Sequence, residues 1–138
     1  MNDLIEKIQK AGLILTAGNG GSASTAEHFA TDLVKKGYKA IALSSNTSVI
    51  TMIANDYGYK RIFEKQLRVF ADKNDLLITI SCSGKSTNIL EALNEARWIG
   101  MSIYEFETFG KIKDYGKLED KHLKFAHQIA KKLEDISE

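Results

Sequence analysis

The chain has 138 residues, of which 43% are hydrophobic and 27% charged, as is usual for one globular domain. Nineteen basic and 18 acidic residues give a net charge of +1 with no long basic run, which argues against nucleic-acid binding. No apolar run approaches the roughly 20 residues that span a bilayer, and no signal peptide is expected. The one cysteine, Cys82, fits a reducing cytoplasm. We therefore expect one cytoplasmic domain over residues 1–138.

Apolar runs that alternate with helical patterns predict an α/β fold. Because the apolar runs are continuous, they are typical of parallel strands covered on both faces, and the alternation favours a three-layer α/β/α sandwich. The predicted strands are Leu13–Ala17, Ala40–Leu43, Asp75–Ser81 and Ser102–Phe106, and the predicted helices are Ser22–Lys36, Arg61–Phe70, Ser86–Ile99 and Leu118–Leu133.

Three loops that follow predicted strands are rich in glycine or hydroxyl groups. They are Gly18–Ser22, Ser44–Ser48 and Ser81–Ser86. In parallel α/β sheets a ligand lies beyond the carboxyl ends of the strands, where such loops lead into helices. We therefore expect a binding site at this edge of the sheet.

The first loop, Gly18–Ser22, joins a strand to a helix. Its glycines let the backbone approach a ligand, and the first amides of the helix favour an anion. A tight turn without a ligand is the simpler alternative. The loop also fits a dinucleotide fingerprint, but the second strand ends in Ser44, Ser45 and Asn46 without the required carboxylate. No nucleotide cofactor is therefore expected.

The second loop, Ser81–Ser86, offers three serine hydroxyls beside a helix N-terminus. This arrangement can surround a phosphate without a fixed cation, although an N-cap cluster without a ligand would have the same sequence. A nucleotide P-loop is excluded because the glycine it requires falls on Thr79. Cys82 is interpreted as a small buried hydrophobic residue rather than a nucleophile.

Helical spacing separates the three histidines. His122 shares the apolar stripe of the last helix and is predicted to lie in the core, whereas His127 points away from that stripe. His28 and Asp32 are i, i+4 neighbours on the side of their helix opposite Phe29. Spacing alone favours a solvated polar face for that pair.

Four motifs in order carry a family resemblance. They are Gly18–Ala23, His28–Ala30, Asn55–Tyr59 and Ser81–Asn88. Together they resemble the successive motifs of the phosphoheptose isomerases, which are sugar isomerase (SIS) domain proteins that convert sedoheptulose 7-phosphate to D-glycero-D-manno-heptose 7-phosphate. The resemblance extends from about Leu13 to Met101.

The resemblance implies a flavodoxin-like parallel sheet, a phosphorylated sugar as substrate, and zinc at a site on a subunit boundary of a homotetramer. It implies a phosphate held by Ser81, Ser83 and Ser86, with the sugar lined by Asn19, Gly20, Gly21, Ser22 and Asn46. It implies metal ligands at His28, Asp32, Glu119 and His127, and we expect Asp32 and His127 to act as the acid and base.

This chain departs from the family pattern at three of those positions. Asp32 replaces glutamate, Glu119 replaces glutamine, and Asn46 replaces aspartate; the chain also lacks the N-terminal helical extension and a further strand after Ser102–Phe106. Because Glu119 and His127 lie about 12 Å apart along a helix, either different subunits supply them or one is not a ligand. A non-catalytic phosphosugar-binding protein, or an isomerase of another sugar phosphate, are the alternatives.

Overall fold

The computed structural model describes all 138 residues. The helices and strands are α1 (Asn2–Lys10), β1 (Ile14–Gly18), α2 (Gly21–Lys35), β2 (Ala40–Ala42), α3 (Thr47–Tyr57), α4 (Glu64–Phe70), β3 (Leu76–Ile80), α5 (Thr87–Ile99), β4 (Ser102–Glu105) and α6 (Tyr115–Lys132), with a 3-10 turn at Tyr59–Arg61. All eight predicted elements are present within a few residues of their expected bounds.

Helices α1 and α3 were not predicted. Helix α1 is short and buries only Leu4 and Ile8, one turn apart, among charged residues. Helix α3 begins with a run rich in β-branched residues, which have low helix propensity. Its start depends on Asn46, whose Oδ1 accepts a hydrogen bond from the backbone N–H of Val49 at 3.1 Å. Side-chain capping and tertiary packing therefore decide this helix.

The four strands form one parallel sheet in the order β2-β1-β3-β4. Ile14 is the register partner of Ala40 on one side and of Leu76 on the other. This order is that of the first four strands of a flavodoxin-like sheet. The expected three-layer fold with a parallel sheet is therefore confirmed, and no further strand follows β4.

Helices cover both faces of the sheet. Helices α1, α2 and α6 pack on one face around Phe29, Leu33 and Ile129, together with Ile14 and Ile78 of the strands. Helices α3, α4 and α5 cover the other face, where Leu15 and Leu77 point. Successive strand residues face opposite sides, so both faces of β1 and β3 are buried. None of the helices is both long enough and apolar enough to cross a membrane.

The segment after α6 is fastened beside the end of α2. The backbone N–H of Ile136 donates to the carbonyl of Lys36 at 2.7 Å, and the Tyr38 hydroxyl donates to the carbonyl of Glu134 at 3.0 Å. Gly37 adopts φ +97°, and a Cβ there would lie 2.6 Å from the backbone of Ile136. These contacts fix the segment after α6 against the residues that follow α2.

Stability should fall at alkaline pH. Burial raises the pKa values of Cys82, Tyr38 and Tyr104 above their ordinary values of 9.0 for the thiol and 10.0 for the phenols. The folded chain therefore holds these protons more tightly than the unfolded chain, so their contribution is complete below about pH 8.5 and is lost as the pH rises through the folded pKa values.

Urea unfolding at pH 7.5, 9 and 10.5 measures this effect. The free energy of unfolding should decrease over that series, and Tyr38→Phe should flatten the decrease above pH 10. A free energy that stays constant or rises would contradict the assignment.

Candidate functional site

The two predicted anion-binding loops lie side by side at the carboxyl edge of the sheet. Gly18 at the end of β1 is the register partner of Ile80 at the end of β3, so the loops that follow them leave from the same point. Helix α2 begins at Gly21 and α5 begins at Thr87, directly after these loops. Two helix N-termini, each with a partial positive charge, therefore face one region.

Gly18 makes the tight turn of the first loop possible. A Cβ at Gly18 would lie 2.5 Å from the carbonyl oxygen of Ser22 and 2.9 Å from that of Ile80. Both neighbours are backbone atoms, so neither can rotate away. The chain then turns at Gly20, where φ is +55°, a conformation that favours glycine. The glycines of this loop are therefore required by close backbone packing whether or not a ligand binds.

The serine loop presents hydroxyl groups as hydrogen-bond donors. Ser81 Oγ accepts from the backbone N–H of Gly84, and Ser83 Oγ accepts from the N–H of Lys85, each at 3.0 Å. Since a hydroxyl can accept and donate at once, each of these serines keeps its hydrogen for another group. Ser86 is the N-cap residue of α5 and makes no side-chain capping bond. The loop can therefore direct three hydroxyls at an anion.

A small cavity of about 110 Å³ lies between the two loops. Residues from both loops and from the start of α6 line it: Asn19, Ser22, Ile80, Ser81, Cys82, Ser83, Ser86, Tyr115 and Glu119. The lining includes six hydroxyl or amide side chains and one carboxylate, and no lysine or arginine. Its chemistry suits a hydroxylated ligand whose anionic group is held by neutral donors.

Three groups of this lining can ionise: the Glu119 carboxylate, the Tyr115 phenol and the Cys82 thiol. The Glu119 carboxylate rests against Gly21 at the start of α2, where any Cβ would overlap it. Burial raises the pKa of the Cys82 thiol, and the charge of Glu119 raises it further, against a smaller opposing effect of a hydrogen bond with Ser22. Cys82 is 4% exposed and is therefore a buried residue, as predicted.

A second group of polar side chains lies where α6 packs on α2. His28 Nε2 is 3.0 Å from His127 Nε2 and 3.6 Å from Asp32 Oδ2, and one donor atom from each residue lies within 4.8 Å of the others. Two imidazole nitrogens and a carboxylate that converge in this way can hold a metal ion. The His28 side chain remains 49% exposed, so the group is open to solvent. We call these three residues the His–Asp–His cluster.

The structure does not bring all predicted site residues together. Glu119 lies in the cavity and is not part of the His–Asp–His cluster. Asn46 caps α3 and does not line the cavity. His122 is a core residue as predicted: it is 2% exposed, and its ring meets that of Phe106 edge-on at 5.6 Å.

Three residues that offer hydrogen-bonding groups at the cavity or directly behind its wall were not among the predicted site residues. Tyr115 lines the cavity, and Asn88 and Tyr59 hydrogen-bond to Asn19. Asn88 and Tyr59 both lie in motifs that carry the family resemblance, and that membership was the sequence signal that could have identified them as site residues. Tyr115 follows a lysine-rich loop and gives no such signal in the sequence.

The chain is similar to known proteins in sequence and in fold. A family model described as SIS domain matches residues 2–106. The chain is 49% identical over 104 residues to a phosphoheptose isomerase of Helicobacter pylori (strain P12), covering 71% of this chain and 54% of that protein. It is 35% identical over 151 aligned residues to a phosphoheptose isomerase of Aliarcobacter butzleri, covering 95% of this chain and 80% of the relative. The chain thus spans about half the length of the Helicobacter relatives it matches.

Solved structures of phosphoheptose isomerases are also similar to this chain in fold. The phosphoheptose isomerase GmhA from Neisseria gonorrhoeae superposes with a TM-score of 0.86 at 29% identity, over 93% of this chain and 79% of that one. A phosphoheptose isomerase from Francisella tularensis superposes with a TM-score of 0.88 at 26% identity, over 94% and 82% of the two chains.

Substitution at Gly18 tests the close packing of the first loop. Gly18→Ala should lower the free energy of unfolding by about 1–3 kcal/mol, because a Cβ there meets backbone atoms that cannot move aside. Gly110→Ala is the matched control, since a Cβ at Gly110 meets nothing within 4 Å. Urea unfolding of both variants measures the difference, and equal stabilities would contradict the packing described.

Proposed function

The chain belongs to the phosphoheptose isomerase family of SIS domain proteins, and on that basis we propose that it binds a phosphorylated sugar and interconverts sedoheptulose 7-phosphate and D-glycero-D-manno-heptose 7-phosphate. The observation that carries this proposal is the pairing of two features on the same two helices. The donor-lined cavity lies at the start of α2 and α6, and the His–Asp–His cluster lies farther along both.

The phosphate belongs in the cavity. Ser81, Ser83 and Ser86 would donate hydroxyl hydrogens to its oxygens, and the first amides of α5 would add their partial positive charge. The first loop, with Asn19, Gly20, Gly21 and Ser22, would form the opposite wall. Asn46 is proposed as a sugar contact from the resemblance alone, since it does not line the cavity. The absence of lysine and arginine from the lining leaves recognition to directed hydrogen bonds.

The reacting end of the sugar belongs at the His–Asp–His cluster. Ser22 and His28 are about 9 Å apart along α2, and Glu119 and His127 about 12 Å apart along α6. A sugar phosphate in an open, extended form could therefore place its phosphate in the cavity and its carbonyl end beside His127 and Asp32. This spacing favours a long carbon chain.

Isomerisation moves one proton between neighbouring carbons and a second between their oxygens. A base removes a proton from the hydroxyl-bearing carbon and the carbonyl oxygen gains a proton, which gives an enediol. The former carbonyl carbon then gains a proton and the hydroxyl of the first carbon loses one, which gives the other sugar. Asp32 and His127 are the proposed acid and base. His28 lies between them, with its Nε2 3.0 Å from the Nε2 of His127 and 3.6 Å from an Asp32 oxygen.

Zinc fits the cluster. The two imidazole Nε2 atoms and the Asp32 carboxylate are the donor types that zinc prefers, and the solvent-open side leaves a position for substrate. Bound there by His28, Asp32 and His127, zinc would polarise the carbonyl and hydroxyl oxygens of the sugar. Glu119, the fourth ligand implied by the resemblance, would have to come from another copy of the chain or leave the cavity.

We also propose that the chain acts as a homo-oligomer, a tetramer by resemblance, in the cytoplasm. The exposure of the His–Asp–His cluster supports the first point, because this chemistry requires a site from which water is excluded and a second copy could cover it. The free, buried Cys82 is compatible with a reducing compartment.

A non-catalytic phosphosugar-binding role is the second candidate. The observation that favours it is the Glu119 carboxylate, which adds negative charge to a cavity otherwise built for an anion. Such a protein would bind sedoheptulose 7-phosphate without converting it.

The assay for isomerisation follows sedoheptulose 7-phosphate by NMR, with and without added zinc. The unaltered chain should convert it, and Asp32→Asn and His127→Asn should each lower the rate at least about 100-fold, since loss of a positioned acid or base has effects of that size. Gln128→Ala, at an exposed neighbour of His127 on α6, should retain the activity. Binding without conversion in either condition would establish the non-catalytic alternative.

Zinc content tests the composition of the metal site. We expect about one zinc per chain by atomic absorption after dialysis, and its loss in His28→Ala and His127→Ala, because each removes a nitrogen ligand. Glu119→Gln should retain the metal if the three-residue cluster suffices. Loss of zinc from that variant would instead show that Glu119 is a ligand, and a metal-free unaltered chain would contradict the proposed zinc site.

A further inference from the structure

The two anion-binding loops are tied together by a reciprocal pair of amide hydrogen bonds. Asn19 Nδ2 donates to Asn88 Oδ1 at 2.8 Å, and Asn88 Nδ2 donates to Asn19 Oδ1 at 2.9 Å. Asn19 belongs to the loop after β1, and Asn88 is the second residue of α5, 69 positions later. Asn88 is 3% exposed and does not line the cavity.

These bonds occupy most of the hydrogen-bonding capacity of Asn19. Its Oδ1 also accepts from the Tyr59 hydroxyl at 3.2 Å, so this oxygen has two donors. An amide oxygen has two lone pairs and an amide nitrogen two hydrogens, so one Nδ2 hydrogen is all that Asn19 has left for a ligand. The side chain is therefore committed mainly to the protein.

We propose that Asn19, Asn88 and Tyr59 form a clasp that sets the distance between the two walls of the cavity. In this proposal the Asn19 side chain acts mainly as a positioning group for the serine loop, and one Nδ2 hydrogen is left for the ligand. The inference rests on the proposed function, because it assumes that the cavity holds a phosphate.

The clasp lies where a change in separation would affect binding most. Ser22 follows Asn19 by three residues on one wall, and Ser86 precedes Asn88 by two on the other. Each serine therefore moves with its side of the clasp. Hydrogen bonds to an anion weaken steeply when their distance or angle changes, so the two walls must stand at the right separation. Walls that already have this separation before binding avoid the free-energy cost of becoming ordered on binding. Tyr59, from the turn between α3 and α4, also donates a hydrogen bond to the Asn19 side-chain amide.

A double-mutant cycle on ligand affinity tests the clasp. Isothermal titration calorimetry with sedoheptulose 7-phosphate and with inorganic phosphate would compare the unaltered chain with Asn19→Ala, Asn88→Ala and the double variant. If the two amides act as one unit, each single change should weaken both ligands about tenfold and the double change should weaken them no further. Tyr59→Phe, which removes one hydroxyl, should weaken binding about threefold.

The alternative of a direct sugar contact gives a different pattern. Asn19→Ala would then weaken sedoheptulose 7-phosphate but not inorganic phosphate, and Asn88→Ala would leave both affinities unchanged. Either result overturns the clasp. The matched control is Asn94→Ala, the same change at an exposed position of α5, which should leave both affinities unaltered.

Two further measurements keep a positioning role apart from a loss of folding. In the isomerase assay the clasp variants should raise KM with little change in kcat, because the His–Asp–His cluster lies about 9–12 Å away. Tyr59 is 60% exposed, so Tyr59→Phe should keep its melting temperature and still bind more weakly even if Asn88→Ala does not fold. An unaltered chain that binds neither ligand overturns the proposed function and the clasp together, whereas tight binding in every variant overturns the clasp alone.

Discussion

The parallel pairing of β1 with β3 determines where the glycine loop and the serine loop of this chain lie. The register that joins Ile14 to Leu76 continues to Gly18 and Ile80, so both strands end at the same level. The glycine loop and the serine loop then start side by side, and each leads directly into a helix. A shift of one residue in this register would turn the buried side chains of β3 to the opposite face of the sheet and separate the loops.

Helix α6 connects the cavity with the proposed reaction centre. Its first turns bring Tyr115 and Glu119 to the cavity, and its later turns bring His127 to His28 on α2. The core contacts of Phe29, Ala126 and Ile129 hold the two helices together beneath these polar groups. Packing of apolar residues on one side of each helix therefore fixes the arrangement of the reactive residues on the other side.

The cavity is lined by neutral hydrogen-bond donors and by one carboxylate. Hydroxyls of the serine loop are oriented by the backbone amides of Gly84 and Lys85, and Glu119 rests at the start of α2. A helix N-terminus stabilises a nearby negative charge, which accounts for a carboxylate in that position. The two helix N-termini thus differ in their electrostatic surroundings. The N-terminus of α2 already has the Glu119 carboxylate beside it, whereas the N-terminus of α5 has only the serine hydroxyls.

The sequence by itself determined the parallel α/β fold, the position of the glycine-rich and serine-rich loops between strand and helix, and the core position of His122. Apolar periodicity and the placement of glycine and serine are local signals. The pairing of His28 with Asp32 was also visible, since i, i+4 neighbours share a helix face. Only the tertiary structure decided that His127, and not Glu119, lies beside His28 and Asp32. It also decided that Asn88 hydrogen-bonds to Asn19. Those contacts join residues 69 to 99 positions apart, and their distances follow from how α2, α5 and α6 pack on the sheet. No local pattern encodes that packing.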